Sequence, residues 1–230
     1  MNAVRPLSAL LRPDWVDLGV RAGLGLVFSF SAGASFSRAL AEFHSLDFAR
    51  IDAKLLSEIL ATLAIGLYWT MVAGLYALRL PAVRRASGVQ PVAAALLGSF
   101  LLCGLLLLDR RTDLPLAAQA AAFALVIAGN GFAIYSLSHL GRSFSILPQS
   151  RRLVTSGPYR LVRHPLYVAE EIAMLGAVIE FFSAAAVALL AAQIAFQLAR
   201  IHYEESILSE SFPDYRAYCA RTARLIPLLY

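Results

Sequence analysis

Long runs of residues without a single charge dominate this sequence and constrain what it can fold into. Uncharged, largely apolar runs cover residues 59–78, 86–108 and 114–141, and a shorter run covers residues 22–37. About 20 apolar residues are enough to cross the hydrocarbon core of a bilayer. Each run therefore predicts a membrane-spanning helix, and the first can be lengthened by tilting or by Arg21 reaching toward the headgroups.

The composition agrees with a membrane protein. Hydrophobic residues make up 59% of the chain and charged residues 15%, whereas about 25% of residues are charged in typical soluble domains. A soluble domain of this size would lack the polar residues to cover its surface. The predicted fold class is an all-α integral membrane protein, with residues 1–230 forming one polytopic domain.

The last apolar stretch, residues 165–199, is too long for one span. Only three glutamates are charged within it, and as a straight helix it would be roughly 52 Å long. The hydrocarbon core is about 30 Å thick. We therefore predict a helical hairpin with helices over 166–181 and 184–206, turning near residues 180–183, which brings the total to about six spans.

The distribution of basic residues tests this count, because cytoplasmic loops carry an excess of Lys and Arg. Six spans place 15 of the 20 basic residues on one side, whereas five spans divide them 11 to 9. The six-span topology predicts that both termini and the 142–163 loop are cytoplasmic. The expected location is the inner membrane of a bacterium, or the endoplasmic reticulum in a eukaryote.

The polar residues concentrate in two segments that this hairpin brings together. They are "GPYRLVRHPLYVAEE" at 157–171 and "ARIHYEES" at 199–206. Arg200 and Glu204 are four residues apart on one helix face and can pair, while Glu205 is rotated by about 100°. The two segments predict one polar site at the cytoplasmic edge of the membrane.

Simpler explanations exist for single residues of this cluster. An arginine beside a spanning helix often only anchors it, Pro165 is a normal first residue of a helix, and tyrosines are frequent at membrane interfaces. None of these explains the whole cluster. Ionisable residues at membrane depth are candidates for function by default.

Two segments carry a resemblance to a known family. "LVTSGPYRLVRHPLYVAEE" (153–171) and "RIHYEESILSESFPDYRAYCARTARLIP" (200–227) resemble the isoprenylcysteine carboxyl methyltransferase family, part of a broader group that includes the phospholipid N-methyltransferases. The resemblance implies a methyltransferase that uses S-adenosylmethionine. Residues 1–139 then supply N-terminal spanning helices, and residues 140–230 supply the cofactor-binding core.

The resemblance also implies a site. Arg200 and Glu204 would be catalytic, with Arg200 orienting the acceptor or bracing Glu204, and Glu204 holding the amino-acid end of the cofactor. The implied cofactor contacts are Leu153, Val154, Gly157, Tyr159, Arg163, His164, Pro165, Tyr167, Glu204 and Glu205. The expected partners are membrane lipids and a lipophilic small-molecule or lipid-linked acceptor, whose methylated group is left open among carboxylate, amine, thiol and hydroxyl.

Two other functions remain as alternatives. Membrane sterol reductases resemble this group at their C-terminal ends, so an NADPH-dependent reductase is one, and a non-catalytic membrane protein is the other. The Glu204–Glu205 pair and the Gly-Pro-Tyr string favour the methyltransferase. We expect no nucleic acid, no metal site and no disulfide, since Cys103 and Cys219 are separated by the topology. Asn130, between two glycines, is expected to hold helices together, with a place in the acceptor tunnel as the alternative.

Overall fold

The computed structural model describes residues 15–46 and 53–227, and helices make up most of the described chain. The main helices are α1 (Trp15–His44), α2 (Ala53–Leu78), α3 (Val89–Phe100), α4 (Leu116–Leu140), α5 (Pro165–Glu180), α6 (Ala184–Ser211) and α7 (Tyr215–Cys219). Short 3-10 helices cover Leu101–Leu107, Gly141–Ser143 and Gly157–Arg160, and two-residue strands cover β1 (Arg84–Arg85) and β2 (Gln149–Ser150).

The predicted all-α membrane fold is confirmed. Five helices are long and apolar enough to cross a membrane, at residues 18–44, 53–78, 89–107, 116–143 and 184–211. The sixth predicted span is α5, which has 16 residues and is about 24 Å long. The first span exceeds the predicted 22–37 because its helix continues through charged residues.

The predicted hairpin is also confirmed, with boundaries within a few residues of those expected. Helix α5 ends at Glu180 and α6 begins at Ala184. The Ser183 hydroxyl accepts a hydrogen bond from the backbone N–H of Ala186 at 3.2 Å, which caps the N-terminus of α6. We call this end of the bundle the hairpin end, and the end where α4 stops and α5 starts the motif end.

Small residues bring α4 and α5 into close contact. A Cβ atom on Gly129 would lie 2.4 Å from the backbone nitrogen of Ala173, and one on Gly176 would lie 2.6 Å from the carbonyl oxygen of Ala122. Both distances are far below van der Waals contact, so only glycine fits. This packing fixes the rotation of α5 about its axis and therefore the direction of its polar side chains.

The span predicted over residues 86–108 is found over Val89–Leu107, but its helix changes type along its length. It is α-helical to Phe100 and then continues as a 3-10 helix. The carbonyl oxygen of Gly98, just before this change, accepts a hydrogen bond from the Gln193 side chain of α6 at 2.9 Å. The buried Gln193 side chain thus supplies a hydrogen-bond donor for a backbone carbonyl next to the point where the helix changes type.

The segments between helices pack over the motif end. Strand β1 pairs antiparallel with β2. The C-terminal segment returns to this end, where Ala223 accepts a hydrogen bond from the backbone N–H of Arg163 at 2.9 Å, and Arg224 accepts one from that of His164 at 3.2 Å. The loop before α5 is therefore held by the tail of the chain.

Candidate active site

A polar cavity lies at the motif end, where α4 stops, α5 starts and α6 ends. It has a volume of about 700 Å³, including space open to solvent. The side chains around it come from the 140–167 region, from α6 and from α7: Leu140, Ser143, Phe144, Ser145, Gln149, Arg151, Arg152, Leu153, Val154, Tyr159, Arg163, His164, Leu166, Tyr167, Glu204, Leu208, Tyr215 and Tyr218. Seven of the predicted site residues are among them.

Tyr167 is the central side chain of this cavity. Its hydroxyl donates a hydrogen bond to Glu204. Its ring stacks on the ring of His164, with 5.3 Å between centroids and 5° between planes. The guanidinium of Arg200 lies 4.6 Å from the centroid of the same ring, in a cation–π arrangement. The pairing predicted between Arg200 and Glu204 thus runs through Tyr167.

Glu205 is not among the residues that line this cavity, in keeping with its rotation from Glu204. Its carboxylate accepts hydrogen bonds from Arg163 at 2.7 Å and Arg224 at 2.6 Å, and lies 3.2 Å from Nε2 of His164. It therefore joins α6 to the loop before α5 and to the C-terminal tail. These contacts give Glu205 a positioning role, and the cofactor contact that the resemblance implies for it stays a prediction.

Gly157 and Pro165 are two further implied cofactor contacts that do not line the cavity. Gly157 has a φ of +59°, and a Cβ atom there would lie 2.1 Å from a ring carbon of His139. The chain needs glycine here because the loop lies directly on the last turn of α4. Pro165 is buried at the first position of α5, where proline favours a helix start.

Buried tyrosines form another part of the wall of this cavity. Tyr218 donates a hydrogen bond to the backbone carbonyl of Tyr159 at 2.7 Å, which links α7 to the loop. Burial, and then the charge of Glu204, raise the pKa of Tyr159 well above its usual value. Burial also raises the pKa of Tyr218 to about 12. Both phenols therefore stay neutral over the physiological range.

A second cavity lies deeper in the bundle. It has a volume of about 960 Å³, including open space. Its lining is largely apolar and comes from α2 to α6 and the 144–146 segment: Ile65, Tyr68, Trp69, Val72, Ser99, Phe100, Val126, Asn130, Ala133, Phe144, Ile146, Glu170, Ala173, Met174, Ala177 and Arg200. Asn130 belongs to this apolar cavity, and its amide donates to the Val126 carbonyl of its own helix at 2.8 Å. The helix-linking role expected for Asn130 is thus not what the structure displays.

A group of buried polar side chains lies where the apolar cavity approaches the polar one. Glu170 accepts hydrogen bonds from the Tyr68 hydroxyl at 2.9 Å and from the Gln197 amide at 3.2 Å. Arg200, which is 2% exposed, donates to the Ser99 hydroxyl at 3.0 Å and to the Gln197 carbonyl oxygen at 3.4 Å. Helices α2, α3, α5 and α6 all contribute to this group.

Sequence reasoning missed most of this second group. Its clearest signal was a polar stripe on α6, formed by Gln193, Gln197, Arg200 and Glu204 at spacings of four, three and four residues. Such spacings place all four on one helix face, and a polar stripe along a spanning helix faces protein or a cavity. Tyr68 and Ser99 gave no comparable signal, because each stands alone in an apolar run.

The two cavities differ in the ligands that their side chains could hold. The polar cavity combines the Glu204 carboxylate, the Arg151 and Arg152 guanidinium groups and the apolar Leu153 and Val154. These groups suit a ligand with an ammonium, a carboxylate and a flat apolar part.

Among residues 15–46 and 53–227, no three His, Cys, Asp or Glu side chains cluster closely enough to hold a metal ion.

Comparisons with known proteins confirm the resemblance to this methyltransferase group. Residues 117–215 match the family model described as phospholipid methyltransferase. That segment includes α4, α5, α6 and the loop between α4 and α5, and therefore most of the polar cavity. The match covers less than half of the chain, and it places the similarity to phospholipid methyltransferases in the part of the membrane fold that surrounds the polar cavity.

Two curated relatives are similar over part of their length. The cobalt-zinc-cadmium resistance protein CzcN of Cupriavidus metallidurans is 40% identical over 100 residues, which cover 41% of this chain and 46% of the relative. The nickel-cobalt-cadmium resistance protein NccN of Alcaligenes xylosoxydans xylosoxydans is 40% identical over 83 residues, covering 35% and 38%. The chain thus spans less than half the length of the curated relatives it matches.

Proposed function

We propose that this protein is an integral membrane methyltransferase that moves a methyl group from S-adenosylmethionine to a lipophilic acceptor. The observation that carries the proposal is the meeting of the two cavities. Phe144 lines both. Tyr167 lines the polar cavity, and Arg200, which lies over the Tyr167 ring, lines the apolar one. A polar donor and an apolar acceptor can therefore approach one point from opposite directions.

The residues of the polar cavity fit this cofactor. When bound, S-adenosylmethionine supplies a methyl group activated on a positively charged sulfur. Glu204 would hold its ammonium group, and the neighbouring arginines would hold its carboxylate. Leu153, Val154 and Tyr159, which line the cavity, would cover its adenine end.

This chain would contribute mainly alignment to the reaction. Well-oriented reactants gain about 7–11 kcal/mol over reactants free in solution. Tyr167 is held from several sides, because its hydroxyl is bonded to Glu204 and its ring contacts His164 and Arg200. Arg200 is held in turn by Ser99 and Gln197. The residues between the cavities are thus fixed by packing and hydrogen bonds before any ligand arrives.

Calorimetry with S-adenosylhomocysteine on the full chain in nanodiscs tests the donor side. We expect binding to the unaltered protein and an affinity at least about tenfold lower for Glu204→Gln, since a charge-assisted hydrogen bond is worth about 1.5–3 kcal/mol. Glu210→Gln is the matched control, because Glu210 lies on the same helix in an exposed pair with Arg84.

Three results would count against the proposal. The first is equal binding by unaltered protein and Glu204→Gln, and the second is no binding by protein whose helical content shows that it is folded. The third is binding of NADPH without binding of S-adenosylhomocysteine, which would favour the reductase alternative. Loss of binding in both glutamine variants would mean that the effect is general and not specific to the polar cavity.

A further inference from the structure

The apolar cavity is followed, at the hairpin end, by a third cavity. The third cavity has a volume of about 550 Å³, including open space. On α4, Val126 lines the apolar cavity, and Phe123, three residues nearer the hairpin end, lines the third one. On α5, Ala177 lines the apolar cavity and Glu180 lines the third one. The two cavities therefore follow one another along the same two helices.

A cluster of buried side chains lies between these two cavities. Phe123 and Val126 pack together with Ala61 of α2, and we call these three residues the dividing layer. Phe123 contacts the third cavity and Val126 contacts the apolar one. A Cβ atom on Gly176 would lie 2.9 Å from a methyl carbon of Val126, so α5 packs directly on the layer. The dividing layer thus closes the apolar cavity and has no room to shift toward α5.

The chemistry changes on the far side of the dividing layer. Arg110 donates a hydrogen bond to Glu58 at 2.7 Å and another to Glu180 at 2.6 Å. All three side chains line the third cavity. An apolar chain that passed the dividing layer would meet these charged groups and lose the gain that comes from apolar burial. The end of the apolar cavity is therefore marked by a change of polarity as well as by a wall.

Helix geometry fixes the length of the apolar cavity. Tyr167, where the polar and apolar cavities meet, and Ala177, near the dividing layer, both lie on α5. The rise along the helix between them is about 15 Å, which is about half the thickness of the hydrocarbon core of a bilayer. The apolar cavity thus matches the depth of one leaflet.

We propose that the dividing layer limits the length of the apolar chain that this protein accepts, with Phe123 as the residue that determines this specificity. The proposal rests on the proposed methyl transfer, because only that reaction makes the bound molecule an acceptor. Phe123 is the largest side chain of the layer. An acceptor whose chain is longer than about 15 Å must displace it to bring its reactive end beside Tyr167.

A series of straight-chain alcohols tests this limit without a methyl donor. Native mass spectrometry of the full chain from detergent micelles counts one-to-one complexes, and partition into protein-free micelles gives the concentration of each alcohol free in water. The extended lengths of the series run from about 8 Å to about 25 Å. We expect the affinity to rise about fourfold with each methylene group until the chain is about 15 Å long, and then to stop rising.

Two substitutions should move this limit in opposite directions. Phe123→Ala opens the dividing layer, so the affinity should keep rising for chains that are longer by at least about two methylene groups. Val126→Phe fills the end of the apolar cavity, so the limit should move to shorter chains. Phe182→Ala is the matched control, because Phe182 is an exposed aromatic residue at the hairpin end. It should leave the limit unchanged.

Several results would overturn the proposal. They are an absence of alcohol binding in folded protein, an affinity that rises without a break beyond about 20 Å, and a limit that neither Phe123→Ala nor Val126→Phe moves. A limit that Phe182→Ala moves as far as Phe123→Ala does would also contradict it. If Phe123→Ala fails to fold, Phe123→Leu should lengthen the limit by a smaller amount, and an unchanged limit in that variant would contradict the role of Phe123.

Calorimetry with S-adenosylhomocysteine on the same samples separates this proposal from the proposed function. Donor binding without a length limit contradicts the role of the dividing layer alone. A length limit that Phe123→Ala extends, in protein that does not bind the donor, supports the role of the dividing layer and contradicts the methyltransferase.

Discussion

The polar and the apolar cavity are built in opposite ways from the same helices. The polar cavity draws most of its lining from one continuous stretch, residues 140–167, and adds residues of α6 and α7. The apolar cavity takes isolated residues from five helices whose positions range from Ile65 to Arg200. The first is a local motif closed by the end of the chain, and the second is a product of helix packing.

Because of this difference, the two cavities should tolerate different substitutions. A cavity made from a motif, such as the polar one, depends on a few residues whose hydrogen bonds define its shape. A cavity made from helix packing, such as the apolar one, can change its shape and chemistry through single substitutions on any of several helices. The comparison predicts that substitutions in the two cavities affect different measurable quantities, except at the point where they meet.

Arg200 is that point, and its loss should have the largest effect. Arg200→Leu removes the cation beside Glu170 and the contact on the Tyr167 ring. We expect methyl transfer to fall by at least about 100-fold and the free energy of unfolding to fall by about 3–5 kcal/mol. Initial rates with radiolabelled S-adenosylmethionine and thermal unfolding in detergent measure the two effects.

Arg200→Lys is the control for charge at this position. Lysine keeps the positive charge but lacks the planar fork that stacks on tyrosine and binds Ser99 and Gln197 together. We expect Arg200→Lys to have a methyl-transfer rate and a free energy of unfolding between those of the unaltered protein and those of Arg200→Leu. A rate for Arg200→Leu close to that of the unaltered protein would contradict the assignment of Arg200 to the meeting point.

Substitution of Glu205 should have the next largest effect. We expect it to lower the stability of the protein and to leave donor binding nearly unchanged. Glu205→Gln weakens three contacts that join α6 to the loop and the tail, so we expect a loss of about 2–3 kcal/mol in the free energy of unfolding. Affinity for S-adenosylhomocysteine in the folded fraction should change less than about threefold. The reverse pattern, with stability kept and donor affinity lost, would show that Glu205 is a ligand contact after all.

Gly157 should show a smaller effect on the same loop. Gly157→Ala puts a Cβ atom against His139 and places alanine at a φ of +59°. The left-handed conformation alone costs about 1–2 kcal/mol. In the double variant with His139→Ala the contact is relieved, so the two changes should be less destabilising together than the sum of each alone. Strict additivity would mean that His139 and Gly157 do not touch.

Much of the fold could be predicted from the sequence because hydrophobic length and charge are local properties. The hairpin turn near residues 180–183 followed from span length and charge distribution, and the structure ends α5 at Glu180 and starts α6 at Ala184. The break in α3 could not be predicted this way. Just before it, Gln193 reaches the Gly98 carbonyl from another helix across 95 positions of the sequence, a contact that no local pattern indicates.

The same distinction between local sequence patterns and contacts between distant residues applies to the candidate site. Tyr167, His164 and Glu204 were found because motif and hairpin place them together. Glu170 was quoted within that motif but received no role, since its importance depends on Tyr68 and Gln197 approaching from other helices. The rotation of α5 decides this, and contacts such as Gly129 against Ala173 set that rotation.

The central claim is that donor and acceptor occupy separate cavities that meet beside Tyr167 and Arg200. Ala177→Phe tests it most directly, because Ala177 lines the apolar cavity and not the polar one. S-adenosylhomocysteine binding and transfer of radiolabelled methyl groups into an apolar membrane extract would be measured on this variant and on Glu204→Gln. We predict that Ala177→Phe keeps donor binding and loses transfer, whereas Glu204→Gln loses both. Transfer at the unaltered rate by Ala177→Phe, or loss of its donor binding in folded protein, would contradict the account.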